Sequence, residues 1–204
     1  MTATVPRRPL RAPAAQVIAI VASAGGLAAL SRILEALPSD LEAALLVVQH
    51  LQADRPSQLA RILGRHTSLA VEEARAGTVP RNGTVYVAPP GTHLLIGIDR
   101  RIALSHLPPL HFCRPSGDRL FASMAASFGA SAIAVVLTGT GCDGAEGASM
   151  VHRGGGTVIA QDQSTSEFFG MPGAARQAGA VDRMLPLGEI AHTLRMLVEK
   201  GATA

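Results

Sequence analysis

Residues 17–21, VIAIV, form an uninterrupted apolar run rich in β-branched side chains, the pattern of a strand buried on both faces of a parallel sheet. Gly25 and Gly26 follow closely, and Leu27, Ala28, Leu30, Ile33, Leu34 and Leu37 then recur at helical spacing, so the reading is strand, tight turn, helix. Pro38 ends that helix. Residues 43–48 (AALLVV) repeat the pattern as a second buried strand, followed by a helix with Pro56 near its start and Leu59, Ile62 and Leu63 on its inner face. The middle of the chain has a different texture. Residues 71–74, 84–88, 93–98 and 101–105 are short strands separated by turn chemistry at Pro80-Arg81-Asn82-Gly83, Pro89-Pro90-Gly91 and Asp99-Arg100, which predicts a small β insertion with a hairpin. A helix over 119–128 leads back to βα repeats: a strand at 132–137, a helix to about 152, a strand at 157–160, a short helix at 172–178, a short strand at 181–184 and a closing helix at 187–199. Strands alternating with helices predict an α/β fold with a largely parallel sheet.

Composition changes this picture little. The 204 residues are 48% hydrophobic and 16% charged, an ordinary globular balance with enough chain to bury a substantial core. The formal charge is +3, but Arg7, Arg8 and Arg11 lie in a Pro/Arg-rich stretch that reads as a disordered leader over residues 1–15, ahead of one domain over 16–200. No basic run interleaves with aromatics, so nucleic acid is not an expected partner. No segment approaches the roughly 20 apolar residues that span a bilayer, and the Ala22-Ser23-Ala24 echo of a secretory cleavage site follows an apolar run too short for a signal peptide. Cys113 and Cys142 are isolated, and His93, His106, His111 and His152 match no metal spacing. The expectation is a cytoplasmic protein in a reducing compartment, with no metal and no cofactor.

Three polar side chains fall just after three apolar strands: Ser23, His50 and Asp143. Parallel strands bring such ends to one edge, where open α/β sheets place their ligands. A serine needs an imidazole to take its proton, and the imidazole needs a carboxylate on its other nitrogen, so this set suits a serine hydrolase. Each residue also has a plain structural reading. Ser23 suits a helix N-cap, His50 a structural histidine, and Asp143-Gly144 a turn or a cap for the next helix. Ala22-Ser23-Ala24-Gly25-Gly26 does not supply the dinucleotide fingerprint G-x-G-x-x-G, which leaves nucleotide binding a minor alternative.

Beyond the leader, the chain resembles the catalytic domain of the chemotaxis protein-glutamate methylesterase (CheB) family. The motifs that carry this are Ala22-Ser23-Ala24-Gly25-Gly26, Val48-Gln49-His50, Val85-Tyr86-Val87-Ala88-Pro89, Arg114-Pro115-Ser116 and Leu137-Thr138-Gly139-Thr140-Gly141-Cys142-Asp143-Gly144. Val158-Ile159-Ala160-Gln161-Asp162, Phe169-Gly170-Met171-Pro172 and Ala178-Gly179-Ala180-Val181-Asp182 continue it in order. The resemblance implies a doubly wound, mainly parallel sheet with helices on both faces and a small β-hairpin insertion. It implies an enzyme that removes methyl esters from receptor glutamates and deamidates certain receptor glutamines. Ser23 would be the nucleophile, His50 the general base and Asp143 the residue that orients it. The backbone near Ala24, Gly25, Gly26 and Thr140 would form the turn and oxyanion hole, with Arg114 either steering an acidic receptor surface or anchoring its own loop. The partners would be the cytoplasmic helices of methyl-accepting chemoreceptors.

The chain departs from the family pattern in places. Val21 stands where glycine is frequent, Ala24 where threonine is frequent, and Thr140 where methionine is common. A backbone N–H survives a side-chain change, so the oxyanion hole is expected to persist. Typical members carry a phosphorylatable receiver domain ahead of the catalytic one. This sequence starts about fifteen residues before the resemblance begins, so it reads either as an excised domain or as a stand-alone member, in both cases without a receiver of its own, and a separate regulatory receiver protein is one candidate partner. Two other readings fit the same residues: a serine esterase acting on another substrate, and a catalytically silent binding module in a signalling complex.

Overall fold

The computed structural model describes residues 11–50 and 57–201. Most of the expected leader, and Pro56 at the expected helix start, lie outside them. Residues 11–15, the end of that leader, run along the domain: Pro13 forms a β-bridge with Arg81, and Ala14 N–H donates to Pro80 O at 2.9 Å.

The first βα unit is β1 (Gln16–Ala22) and α1 (Gly26–Ala36), followed by β2 (Ala43–Gln49) and the short α2 (Leu59–Leu63). Then come β3 (Ala70–Glu73), β4 (Thr84–Val87), β5 (His93–Ile96), β6 (Ile102–Ser105) and α3 (Gly117–Phe128). The last third is β7 (Ala132–Val136), α4 (Ala145–Arg153), β8 (Thr157–Gln161), α5 (Gly170–Gln177), β9 (Arg183–Leu185) and α6 (Leu187–Gly201). Seven strands form one sheet in the order β3-β4-β2-β1-β7-β8-β9, with every pair parallel.

The middle strands require a correction. Only β5 and β6 form the antiparallel hairpin, whereas β3 and β4 extend the main sheet beside β2. Thr84, Val85, Tyr86 and Val87 are all buried, so β4 has the double-faced burial of a sheet strand. Four-residue runs are too short for periodicity to reveal which sheet they join.

Alternation along the strands sends successive side chains to opposite faces, and each face is covered. Val17, Ala19 and Val21 of β1 pack with Leu120, Phe121 and Met124 of α3, Val151 of α4, Met171 of α5 and Leu94 of the hairpin. Ile18, Ile20 and Ala22 pack with Leu30, Ile33 and Leu34 of α1 and with Ile190, Leu194 and Val198 of α6. Burying an aliphatic side chain of this size contributes about 1.5–3 kcal/mol. A one-residue slip of β1 would exchange the two sets, so its register is fixed. The architecture is therefore the doubly wound α/β fold with a small hairpin. The strand order reverses at β1: the chain builds outward through β2 on one side and, later, through β7 on the other. Ligands of such sheets bind at that reversal, beyond the carboxyl ends of the strands.

Candidate active site

Ser23, His50 and Asp143 all lie at that reversal. Ser23 directly follows β1 and His50 directly follows β2. The register that pairs Ala22 with Gln49 carries them side by side, and His50 N–H donates to Ala22 O at 3.0 Å. Asp143 comes from the loop between β7 and α4.

Asp143 is 2% exposed, and its carboxylate is enclosed by donors. His50 Nε2 lies 2.7 Å from Oδ2, and Gly117 N–H donates to the same oxygen at 2.6 Å. Ser116 Oγ donates to Oδ1 at 2.7 Å and Asp118 N–H at 3.1 Å. Ser116 is the N-cap of α3, so the carboxylate sits on the first N–H groups of that helix, where otherwise unpaired donors and the helix dipole both favour an anion. Burial alone would raise its pKa, but the hydrogen bonds from His50, Gly117, Ser116 and Asp118 outweigh it and hold the carboxyl below the usual carboxylate range.

The His50 imidazole is likewise pulled two ways. Burial disfavours its charged form, but the hydrogen bond to Asp143, the contact with Cys113 and the charges of both groups raise its pKa from 6.5 to about 9. Cys113 Sγ lies 3.6 Å from Nδ1, so the two ring nitrogens face a carboxylate and a cysteine sulfur. Among the described residues no hydrogen bond joins Ser23 Oγ to His50 or to any other group. The structure thus pairs His50 with Asp143 and places Ser23 beside them on the next strand, with its hydroxyl uncommitted.

Main-chain bonds hold the Ser23 turn in place. Ser23 N–H donates to Thr138 O at 3.0 Å, while its carbonyl accepts from Gly26 N–H at 2.9 Å and from Gln49 Nε2 at 2.7 Å. Gly25 has φ +74°, a left-handed conformation that side chains disfavour. Gly26 therefore serves the turn, its N–H being used internally. The N–H groups of Ala24, Gly25 and Thr140 have no acceptor among the described residues. Thr138 Oγ1 donates to Ala24 O at 3.0 Å and accepts from Phe168 N–H at 2.9 Å, which ties the loops after β1, β7 and β8 together. Beside Ser23 an open groove of about 440 Å³ is lined by Leu27, Ala28, Ser31, Ile62 and His66 among others.

At Gly139 a Cβ would fall onto Met171 Sδ and within 2.8 Å of Ser23 Cβ. Gly139→Ala should therefore displace the serine turn, costing about 1–3 kcal/mol of stability as overpacking does. Thermal denaturation checks this, and an unchanged melting temperature would show that the turn accommodates the methyl group.

Arg114 is turned to its own loop. Nη1 donates to His106 O at 3.3 Å and Leu107 O at 3.4 Å, the anchoring alternative to receptor steering.

Five supporting residues do not stand out along the chain. Cys113 looks isolated along the chain, yet it contacts His50. His93 is buried; its Nδ1 accepts from Ser116 N–H at 3.2 Å and its Nε2 lies 3.2 Å from Pro108 O, which positions the N-cap. Gln49 and Gln161 sit at strand ends and hold Ser23 O and Thr138 N–H. Their signal is a polar residue closing an apolar run. Ser116 carries the cap signature before α3, but nothing along the chain shows that the helix it starts cradles Asp143.

A family profile described as CheB methylesterase matches residues 18–194. Among curated proteins, the chain is 44% identical over 189 residues to protein-glutamate methylesterase/protein-glutamine glutaminase 2 of Anaeromyxobacter dehalogenans (strain 2CP-C), covering 93% of this chain and 55% of that protein. It is 44% identical over 187 residues to protein-glutamate methylesterase/protein-glutamine glutaminase 1 of Myxococcus xanthus (strain DK1622), covering 90% of this chain and 54% of that protein. The chain thus spans about half the length of these relatives. The crystal structure of the Thermotoga maritima CheB methylesterase catalytic domain superposes with a TM-score of 0.85 at 34% identity, covering 89% of this chain and 98% of that one. Fold, motif order and relatives agree that the chain belongs to the CheB methylesterase family.

Proposed function

We propose that the chain is a cytoplasmic serine hydrolase that removes methyl esters from glutamate side chains of chemoreceptor helices, with Ser23 as nucleophile, His50 as general base and Asp143 as the carboxylate that orients it. The observation that carries this reading is the 2.7 Å contact between His50 and a buried Asp143, beside a serine whose hydroxyl has no hydrogen-bond partner among the described residues, at the strand-order reversal. The names of the relatives, protein-glutamate methylesterase/protein-glutamine glutaminase, support the substrate class. Among the described residues no helix is long and apolar enough to cross a membrane. A separate receiver protein belongs to the same reading as a regulatory partner.

Ser23 Oγ attacks the ester carbonyl as His50 Nδ1, the nitrogen not held by Asp143, takes its proton. Asp143 stabilises the resulting imidazolium. The oxyanion is held by the free N–H groups of Ala24, Gly25 and Thr140, each such donor being worth about 3–4 kcal/mol in comparable sites. Collapse breaks the ester C–O bond, and the proton on His50 goes to the departing methoxide to give methanol. Water, deprotonated by His50, then releases glutamate from Ser23. An amide substrate passes through the same acyl-serine and loses ammonia, which accounts for glutaminase activity on one site. The open groove beside Ser23 suits a helical segment better than an enclosed pocket would.

A fluorophosphonate that reacts with activated serines tests the assignment. An adduct mapped to Ser23 by peptide mass analysis is expected. Failure to label the folded chain would favour the silent binding module, and an adduct on Cys113 would make the thiol the nucleophile.

A pH profile follows from the imidazole. A base must be neutral, and with a pKa of about 9 only about one His50 in a hundred is neutral at pH 7. kcat/KM should therefore rise about tenfold per pH unit through neutrality and level off near pH 9. Cys113 is among the causes of the raised value, so Cys113→Ala should move the levelling point to lower pH. A profile already flat between about pH 6 and 8 would show that His50 is neutral in the working enzyme.

A further inference from the structure

Next to the triad lies a second cluster that the proposed reaction leaves unused. Residues 110–113 form a two-residue hairpin turn: Leu110 N–H donates to Cys113 O at 3.1 Å and Cys113 N–H to Leu110 O at 2.9 Å. The turn residues His111 and Phe112 have φ of +50° and +63°. This turn brings His111 Nε2 to 3.8 Å from Asp118 Oδ2 on the first turn of α3. Glu146, on the first turn of α4, completes the set, and the three ligand atoms all lie within 4.8 Å of one another.

Asp118 points to what the cluster holds. The residue is 4% exposed. Oδ1 accepts from Gly147 N–H at 2.8 Å, but Oδ2 is buried with no hydrogen-bond partner among the described residues. A buried acceptor without a partner is costly, and it faces an imidazole and a second carboxylate. We propose that His111 Nε2, Asp118 Oδ2 and the Glu146 carboxylate form a binding site for a divalent cation of the zinc type, with a fourth position left to water or a ligand.

The donor set is one imidazole nitrogen and two carboxylate oxygens, which zinc accepts in a three-ligand open site and which calcium or magnesium, preferring oxygen alone, do not favour. Two carboxyl groups and an imidazole supply the oxygen and nitrogen donors that a zinc-type ion takes. The other nearby cluster, His50 with Cys113 and Asp143, is a poorer site. Its carboxylate already accepts from four donors, and Asp143 and Cys113 face different nitrogens of the imidazole ring. Spacing along the chain hides the proposed site, because its ligands come from a turn and two different helices. An ion there would tie the 110–113 turn to both helices and so fix Cys113, the neighbour of His50.

The test is titration of the metal-free full chain with Zn2+ and, for spectroscopy, Co2+. One ion per chain is expected, with visible cobalt bands of low coordination number and no sulfur-to-cobalt charge-transfer band in the near ultraviolet. His111→Ala and Glu146→Gln, both at exposed positions, should each weaken binding at least tenfold while the circular dichroism spectrum stays that of the parent. Cys113→Ala should leave the affinity unchanged. The proposal is overturned if no saturable binding occurs, or if binding survives His111→Ala. A thiolate charge-transfer band that disappears in Cys113→Ala would place the ion in the triad cluster instead, and also overturns it.

Discussion

Asp143→Asn is expected to lower ester turnover by about four orders of magnitude, the scale seen when a triad carboxylate is replaced by its amide, and to destabilise the fold as well. The carboxylate accepts from His50 Nε2, Gly117 N–H, Ser116 Oγ and Asp118 N–H. An amide offers one oxygen and one NH2, so whichever way it turns, donors meet donors on one side. Ser116 can rotate its hydroxyl, but the two main-chain N–H groups cannot move without moving α3. Leaving such buried donors unpaired costs about 1–3 kcal/mol apiece. Replacing the carboxylate also weakens its hydrogen bond to the imidazole, the largest influence raising the His50 pKa, and removes the smaller contribution of its charge. The residual activity should therefore level off at lower pH than the parent's, a shift that simple loosening of the fold would not produce. Denaturant unfolding and the pH profile together check this. Parent-like turnover would remove Asp143 from the mechanism.

Ser23→Ala has the opposite balance: the largest loss of activity with almost no loss of stability. With Ser23 as the proposed nucleophile, its removal leaves only what binding and the oxyanion donors provide, so a drop of about 10⁵–10⁶ in kcat is expected. The hydroxyl makes no hydrogen bond among the described residues, and the bonds that shape the turn use Ser23 N–H and O, which alanine keeps. The melting temperature should stay within a degree or two of the parent's. A large fall in stability would mean that the serine is a structural cap, and unchanged hydrolysis would mean that another group attacks the ester. Cys113 would then be the first candidate, since its sulfur already contacts His50.

These two substitutions also show what the sequence reveals. Ser23, His50 and Asp143 were legible because each closes or follows an apolar run, and a parallel sheet gathers such ends at one edge. The paired strands β1, β2 and β7 were legible for the same reason, their side chains being buried on both faces. The places of β3 and β4 were not, because a four-residue strand carries no information about its partner. The surroundings of the triad were hidden for a different reason. Cys113 and Asp118 lie on either side of the start of α3, and their roles depend on where that helix points. Its direction is set by packing of Leu120, Phe121 and Met124 against β1 and by the hairpin, both long-range consequences of the fold. Arg114 illustrates the same limit. Its charge suggested a surface for acidic partners, whereas its guanidinium is engaged by carbonyls only seven and eight residues earlier in the chain.

The central claim is that this site releases methyl groups from receptor glutamates, and methanol release from methyl-labelled chemoreceptor membranes incubated with the wild-type chain tests it most directly. Steady accumulation of labelled methanol, with the receptors left carrying free carboxylates, is the expected result. No release from the membranes by a folded chain that still hydrolyses a small glutamate methyl ester would contradict it, and would make the protein a serine esterase for a different substrate.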